Sequence, residues 1–368
     1  MLARAPFFPI FLALMLGIFA APNVAWALAD PERDDTPPPV FPLSQMAMGA
    51  QADISQLQAS AAATGEDTKS KADQLRRIGT VYFANGNRKR ALDEFDDALP
   101  LYRQVHDSAD EALVLADLGV VWFALGDKQK ALEYDNQALP IWRELGDQGR
   151  EAATLGNIAE VFRAMNDPRQ AIFFYEKALP LYRQSNNRHD EATCLNNAGL
   201  AYLSINERKA ALADFNQALL VYRQSGDRSG EATTLNNIGG AYNAGGDNSS
   251  ALDYFNQALR LDRESANRAG EAAALNNIGR VYRDRGEAMK ALDFYNQALP
   301  IVRDLQDRRA EAATLNNIGL VYSDLGQSQK AVDFYKQALP VFREAGDREG
   351  EAAALANIED EARVGKQR

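Results

Sequence analysis

The chain has 368 residues, 51 acidic against 40 basic, with a formal charge of −11, 46% hydrophobic and 25% charged side chains. That is a globular mix, which excludes wholesale disorder. The acidic surplus lacks the basic stripe that displaces counterions from nucleic-acid phosphates, and it suits an anionic membrane surface no better. A single cysteine, Cys194, excludes an intramolecular disulfide, a thiolate zinc site and a dithiol redox pair; His106 and His189 alone are too few for a histidine-based metal centre.

Residues 1–29 read as a secretory signal. Arg4 supplies the positive start, Phe7 to Ala21 is apolar apart from Pro9 and Gly17, and Ala27-Leu28-Ala29 places small residues before a cleavage point between Ala29 and Asp30. The apolar run is shorter than the ~20 residues a membrane-crossing helix needs. The expectation is therefore a secreted or periplasmic protein without a membrane span after cleavage, with an uncleaved N-terminal anchor as the alternative. Residues 30–66 form a linker, opened by Pro31, Pro37, Pro38, Pro39 and Pro42. Its Ala/Gln/Ser-rich end, 51–66, is the one stretch where a degenerate helix is conceivable.

From Lys71 onward one pattern recurs every 40 residues without a gap, as units 71–110, 111–150, 151–190, 191–230, 231–270, 271–310 and 311–350, followed by a half unit at 351–368. In the first half of each unit, positions 4, 5, 8, 11, 12 and 15 share one face of a helix. Position 12 is always aromatic (Tyr82, Trp122, Phe162, Tyr202, Tyr242, Tyr282, Tyr322), and position 9 is Gly or, once, Ala159. Position 16 is always Gly or Asn, the residues that tolerate the left-handed backbone that ends a helix. The second half is another amphipathic helix, with Ala at positions 21 and 28 and large side chains, mostly aromatic, at 24 and 25. Asp or Asn at position 37 caps the next helix.

Proline at position 30 (Pro100, Pro140, Pro180, Pro300, Pro340) would break a helix on its dry side, but it lies about 180° from the alanine stripe. A kink on the solvent side is expected there, and straighter helices where Leu220 and Arg260 take its place. Arg at position 33 in every unit faces acidic residues at positions 37 and 1, an arrangement for surface ion pairs between units. No unit can bury its apolar face alone, so the units must stack. Glu359 and Ala362, in place of the usual Gly and aromatic, make the last half unit a solvated cap.

Ile318-Gly319, Tyr322, Gly326, Ala331, Phe334/Tyr335 and Ala338 resemble the signature of the tetratricopeptide repeat (TPR). The 40-residue period and the strings LNNIG and GDR..E are similar to the repeats of kinesin light chains and Pins-type adaptors. The resemblance covers 71–368. It implies an all-α fold, a right-handed α-solenoid of stacked antiparallel helix pairs over 67–368. It also implies binding of a protein or an extended peptide along a concave groove of first helices, with no reaction, catalytic residue, metal or cofactor.

On that face lie positions 3, 6, 10 and 13, with 7 at the edge. Candidate groove residues are the amides Asn157, Asn196, Asn197, Asn236, Asn237, Asn276, Asn277, Asn316 and Asn317, whose donors and acceptors suit a peptide backbone. Bonding of position 7 to a neighbouring helix is the competing reading. Phe83 and Phe123, with Leu113 and Val120, form an apolar patch that residues 51–66 could instead cover. Units three and six offer Arg163, Arg280 and Arg283, with Glu160 nearby, and acidic groups of an elongated partner would face Arg280 and Arg283. The reading is thus an exported, monomeric binding scaffold of unknown partner, with a self-assembling or envelope-assembly chaperone component as the alternative.

Overall fold

The computed structural model describes residues 67–367, with side chains through Arg363. The signal segment 1–29, the linker 30–66 and the helix considered at 51–66 lie outside the described residues. Those described hold fifteen α-helices and no strand.

They fall into two compact units divided between Ser225 and Gly226. The first contains α1 (Thr68–Ala84), α2 (Arg88–Gln104), α3 (Ser108–Ala124), α4 (Lys128–Leu145), α5 (Gln148–Ala164), α6 (Pro168–Gln184), α7 (Arg188–Ser204) and α8 (Arg208–Ser225). The second contains α9 (Arg228–Ala244), α10 (Asn248–Glu264), α11 (Arg268–Asp284), α12 (Ala288–Asp304), α13 (Arg308–Asp324), α14 (Ser328–Glu344) and α15 (Arg348–Gln367). Within each unit every helix packs against the next, and successive odd-numbered helices also touch each other. Each unit is a helical-repeat solenoid.

The short turns follow from local chemistry. At the end of α1, Gly86 is left-handed (φ 76°), its N–H donates to Phe83 O and the Asn87 N–H donates to Tyr82 O, closing a Schellman motif. Asn87 then caps α2 by accepting from the Arg90 N–H. The same double use of one residue recurs at Asp127, Asp167 and Asp247. The position-37 caps form as well: Asp107, Asp147, Asn187, Asp227, Asn267, Asp307 and Asp347 each accept from the N–H three residues on.

The prolines sit inside unbroken helices. The carbonyls that lose a partner, on Asp96, Asn136, Glu176, Asn296 and Lys336, belong to exposed residues, where water can bond them.

The core is an interlock of small and large residues. A Cβ on Gly79 would lie 2.7 Å from the Phe95 ring, and one on Gly239 would lie 2.7 Å from Phe255, so only glycine lets these helices meet. Rings at positions 12 and 24 stack at 5.4 Å in Phe162–Phe174, Tyr242–Tyr254, Tyr282–Phe294 and Tyr322–Phe334. Two aspartates interrupt this packing. Asp135 stands at the position of Phe95 and Tyr175, and Asp262 at that of Tyr222 and Phe342; both are buried. In α15 Leu355 is 40% exposed, where Leu315 of α13 is 1%.

Candidate functional site

The odd-numbered helices carry every residue singled out for binding, and the structure sorts them by unit. The asparagines do not stand on an open surface. Asn157, Asn196, Asn236 and Asn237 are buried, and Asn197, Asn276, Asn277, Asn316 and Asn317 are half-buried. A wheel drawn for one helix has a dry and a wet side, but each first helix is flanked by another, and positions 6 and 7 lie along that flank.

There the amides meet each other. In the second unit Asn277 Nδ2 donates to Asn236 Oδ1 at 3.0 Å, and Asn357 Nδ2 to Asn316 Oδ1 at 3.1 Å. Thr314 Oγ1 donates to Asn276 Oδ1 at 3.1 Å, while Asn276 Nδ2 donates to the Ala272 carbonyl. Position 7 of one repeat thus reaches position 6 of the repeat before it, and both amides are engaged between helices.

In the first unit the same flank opens with an ion pair: Arg76 Nε donates to Asp117 Oδ2 at 2.9 Å, with both side chains nearly dry. Burial pushes the Asp117 carboxyl up from its ordinary value against the pull of Arg76. Further along, Glu160 gathers four donors. Its Oε2 accepts from Arg163 Nε and Nη2 at 2.9 and 2.7 Å; its Oε1 accepts from the Tyr175 hydroxyl and, at 2.7 Å, from Asn197 Nδ2. Burial pulls the Arg163 guanidinium down, but Glu160 and Tyr175 more than reverse this and hold it charged. Arg163 is therefore committed to Glu160, three residues earlier on its own helix, and not held ready for an acidic partner. The i,i+3 spacing of Glu160 and Arg163 was the signal in the sequence.

Arg280 and Arg283 differ. Both are half-exposed on α11. The Arg283 Nη2 is 3.6 Å from Asp284 Oδ1 and its Nε is 3.7 Å from Asp324 Oδ2, beyond hydrogen-bonding length. Burial pulls the Arg280 guanidinium below its ordinary value, and Arg283 adds to this, while Tyr295 and Asp284 oppose it. Two guanidiniums thus share one stretch of α11. On α9 alongside, a Cβ on Gly240 would meet nothing within 4 Å. In the first unit, Phe83 and Phe123 are half-buried; Phe83 packs on a core that includes Leu113 and Val120, and Phe123 on the next core, with Leu155 and Ile158.

The groups that could suggest chemistry are structural. Cys194 is buried, its Sγ 3.6 Å from the Tyr175 carbonyl, and burial pushes its thiol up, away from the reactive thiolate. His106 is a left-handed turn residue (φ 57°), and the His189 ring lies edge-on to Tyr222 with centroids 6.3 Å apart. Among the described residues no three His, Cys, Asp or Glu side chains form a metal-holding group, and no helix is long and apolar enough to cross a membrane.

Stacked helix pairs with capped turns, small-on-aromatic packing and a first-helix flank of amides define a helical-repeat protein. The tetratricopeptide repeat profile matches residues 72–144, 123–184, 150–224, 191–264 and 270–358, and the chain belongs to that family, whose members are generally non-enzymatic protein-interaction scaffolds. Among solved structures, the apo form of RapI is 18% identical with a TM-score of 0.62, covering 74% of this chain and 98% of its own. A tetratricopeptide repeat protein from Parabacteroides merdae is 17% identical with a TM-score of 0.58, covering 78% and 98%. The STAND ATPase PH0952 from Pyrococcus horikoshii, which has a tetratricopeptide repeat sensor, is 14% identical with a TM-score of 0.63, covering 88% of this chain and 48% of its own. These likenesses concern the fold. A comparison with curated protein sequences finds no match.

Proposed function

We propose that this protein is an exported, monomeric scaffold that holds an extended segment of a protein partner on its first-helix face. In the second unit the segment offers acidic groups to Arg280 and Arg283; in the first it offers apolar side chains to Phe83 and Phe123. The observation that carries this reading is Arg283 on α11, partly exposed and held by Asp284 and Asp324 only at 3.6 and 3.7 Å. An incoming carboxylate can make the two-pronged bonds that Asp284 and Asp324 do not. The half-buried amide of Asn317 on the next first helix supplies backbone recognition beside it.

Binding of an acidic peptide panel, measured by fluorescence anisotropy, should weaken at least tenfold in Arg280→Ala/Arg283→Ala, about 1.4 kcal/mol or more. Unchanged affinities would overturn the assignment. Export rests on the signal-like segment alone, and N-terminal sequencing of protein from the envelope fraction should begin at Asp30; a chain that keeps Met1 to Ala29 would refute the cleavage.

A further inference from the structure

The ring at position 12 of the first helix is covered in every repeat but the fourth. Position 24 stacks a second ring on Phe162, Tyr242, Tyr282 and Tyr322, with centroids 5.4 Å apart. Position 20 sets a cation over the ring: Arg90 is 5.4 Å from the Tyr82 centroid, Lys130 3.6 Å from Trp122, Lys290 5.2 Å from Tyr282 and Lys330 5.3 Å from Tyr322. Tyr282 and Tyr322 carry both, so the stacked ring and the cation use separate places. In repeat four, position 20 is Ala210 and position 24 is Asp214. Among the described residues, Tyr202 is the position-12 ring that has neither cover.

The surroundings of Tyr202 are acidic instead. Its hydroxyl donates to Glu176 Oε1 at 2.7 Å. Asp214 holds the stacking position, near enough that its charge, after burial and the Glu176 bond, helps push the Tyr202 hydroxyl up to about 12. Burial and then the charge of Glu176 raise the Asp214 carboxyl to about 6, with Arg183 opposing. Arg183 is engaged elsewhere: its Nε donates to Glu191 Oε1 at 2.7 Å and its Nη2 to Gln217 Oε1 at 3.0 Å. Tyr202, Ala210 and Asp214 are partly exposed and Glu176 is exposed, so a group arriving from solvent can reach all four.

We propose that this place, where α7 meets α6 and α8, receives a lysine side chain of the bound partner, whose ammonium does over Tyr202 what Lys130 does over Trp122. The chain's own cations at position 20 show that the repeat accommodates such a group beside the position-12 ring. Alanine ends at its Cβ, so in repeat four the room that a lysine stem fills elsewhere is left to an incoming one. The ring face attracts the ammonium, and the carboxylates of Glu176 and Asp214 add to that attraction. A neutral side chain gains neither term, and an acidic one is repelled by both carboxylates. The proposal takes from the reading above only that a protein partner is bound, and it adds a basic contact in the first unit to the acidic one in the second.

The test needs no identified partner. The full chain is titrated with N-acetyl-lysinamide, with N-acetyl-norleucinamide, which keeps the stem without the charge, and with spermidine, using ligand-observed NMR. N-acetyl-lysinamide should bind saturably and at least about fivefold more tightly than N-acetyl-norleucinamide. An acidic chain attracts any cation, so the deciding variant is Ala210→Lys, which supplies the cation that Lys130 and Lys330 supply elsewhere. It should weaken N-acetyl-lysinamide binding at least about fivefold while raising the melting temperature, so the loss cannot be ascribed to unfolding. Tyr202→Leu should lose the preference for the charged amide, and Tyr202→Phe, which keeps the ring face, should retain it. Equal binding of the two amides, or N-acetyl-lysinamide binding that survives Ala210→Lys, would overturn the proposal. Spermidine binding that Ala210→Lys removes, without N-acetyl-lysinamide binding, would assign the place to a free polyamine and overturn the side-chain source. The outcome is separate from that of the acidic-peptide panel, which reads Arg280 and Arg283 in the second unit.

Discussion

The flank between neighbouring first helices is built differently in the two units. In the second, Asn277 donates to Asn236 and Asn357 to Asn316, each across 41 residues, so position 7 of one repeat answers position 6 of the one before. In the first, Arg76 and Asp117 occupy those positions as an ion pair with the same spacing. Next come Ala116 before Asn157 and Gly156 before Asn197, and neither small residue has a side-chain acceptor. Asn197 finds Glu160 instead; Asn157 Nδ2 finds nothing. The contrast shows that a repeated asparagine is not a repeated interaction. What each amide does depends on a residue one period away.

The ion pair gives the sharpest break. Arg76→Ala would leave Asp117, which is fully buried, without its cation, a change that costs about 3–5 kcal/mol. Urea unfolding should show that loss in a transition belonging to the first unit, with the second unit's transition unmoved. A loss below about 1 kcal/mol would mean that Asp117 is protonated in the fold and needs no partner.

Buried aspartates without cations set the pH dependence of each unit. Burial pushes Asp262 in the second unit up to about 6, with the Asn267 Nδ2 bond at 2.7 Å opposing the shift and Glu271 adding to it. A carboxyl raised in the fold favours folding when protonated. Its contribution is complete below about 3.8 and is lost as pH rises to about 6. Thermal melts from pH 4 to 7 should therefore lose about 1–2 kcal/mol at this residue, after discounting for partial solvent screening. Asp262→Asn should flatten that slope. Asp135 in the first unit is pushed up by burial alone, so Asp135→Phe should remove a decline with the same sign in the first unit's transition. A slope that survives both variants would assign the titration to other groups, Asp214 first among them, which burial and Glu176 raise to about 6.

Next in size is the amide ladder itself. Asn277→Ala leaves the buried Asn236 without its donor and should destabilise by about 1–2 kcal/mol. The reverse change, Ala116→Asn, gives Asn157 the acceptor that Asn277 has and should stabilise the first unit by up to about 1 kcal/mol. If Ala116→Asn destabilises instead, the two flanks differ in spacing as well as in residue type.

Much of this architecture is legible in one strand of text. The left-handed turn at position 16 and the cap at position 37 depend on residues within a few positions of each other, and both are present. The companion turn at position 36 escapes notice because His106, Ala266 and Gln306 adopt φ of 57°, 55° and 57°, although their side chains do not advertise it. The binding face is harder still. A helical wheel places Asn237 at the edge of a wet side, whereas the neighbouring helix buries it to 3% exposure. Arg163 looked like Arg283 on the wheel, yet Glu160 on the same helix claims one and only distant carboxylates face the other. Local rules fix the turns; the site depends on which side chain stands one period away.

The smallest expected effect concerns the ion pairs that join each second helix to the next first helix. In the first unit Arg143 Nε bonds Glu151 Oε1 at 2.7 Å, and Glu151 is held by that bond. In the second unit Glu311 accepts from Arg303 at 2.8 Å and also from Arg308 at 2.9 Å, and these bonds outweigh burial to keep its carboxyl below its ordinary value. Removing one of two cations costs less than removing the sole one, because the carboxylate keeps a charge-assisted partner. Arg303→Ala should therefore cost no more than about 0.5 kcal/mol, and Arg143→Ala up to about 1 kcal/mol, since all three arginines are about half-exposed and screened. Raising salt to ~1 M, where the Debye length falls to ~3 Å, should erase the difference between the two variants. If the difference persists in salt, the arginine stems contribute by covering apolar surface rather than by charge, and Arg→Met at each position should then restore the wild-type stability.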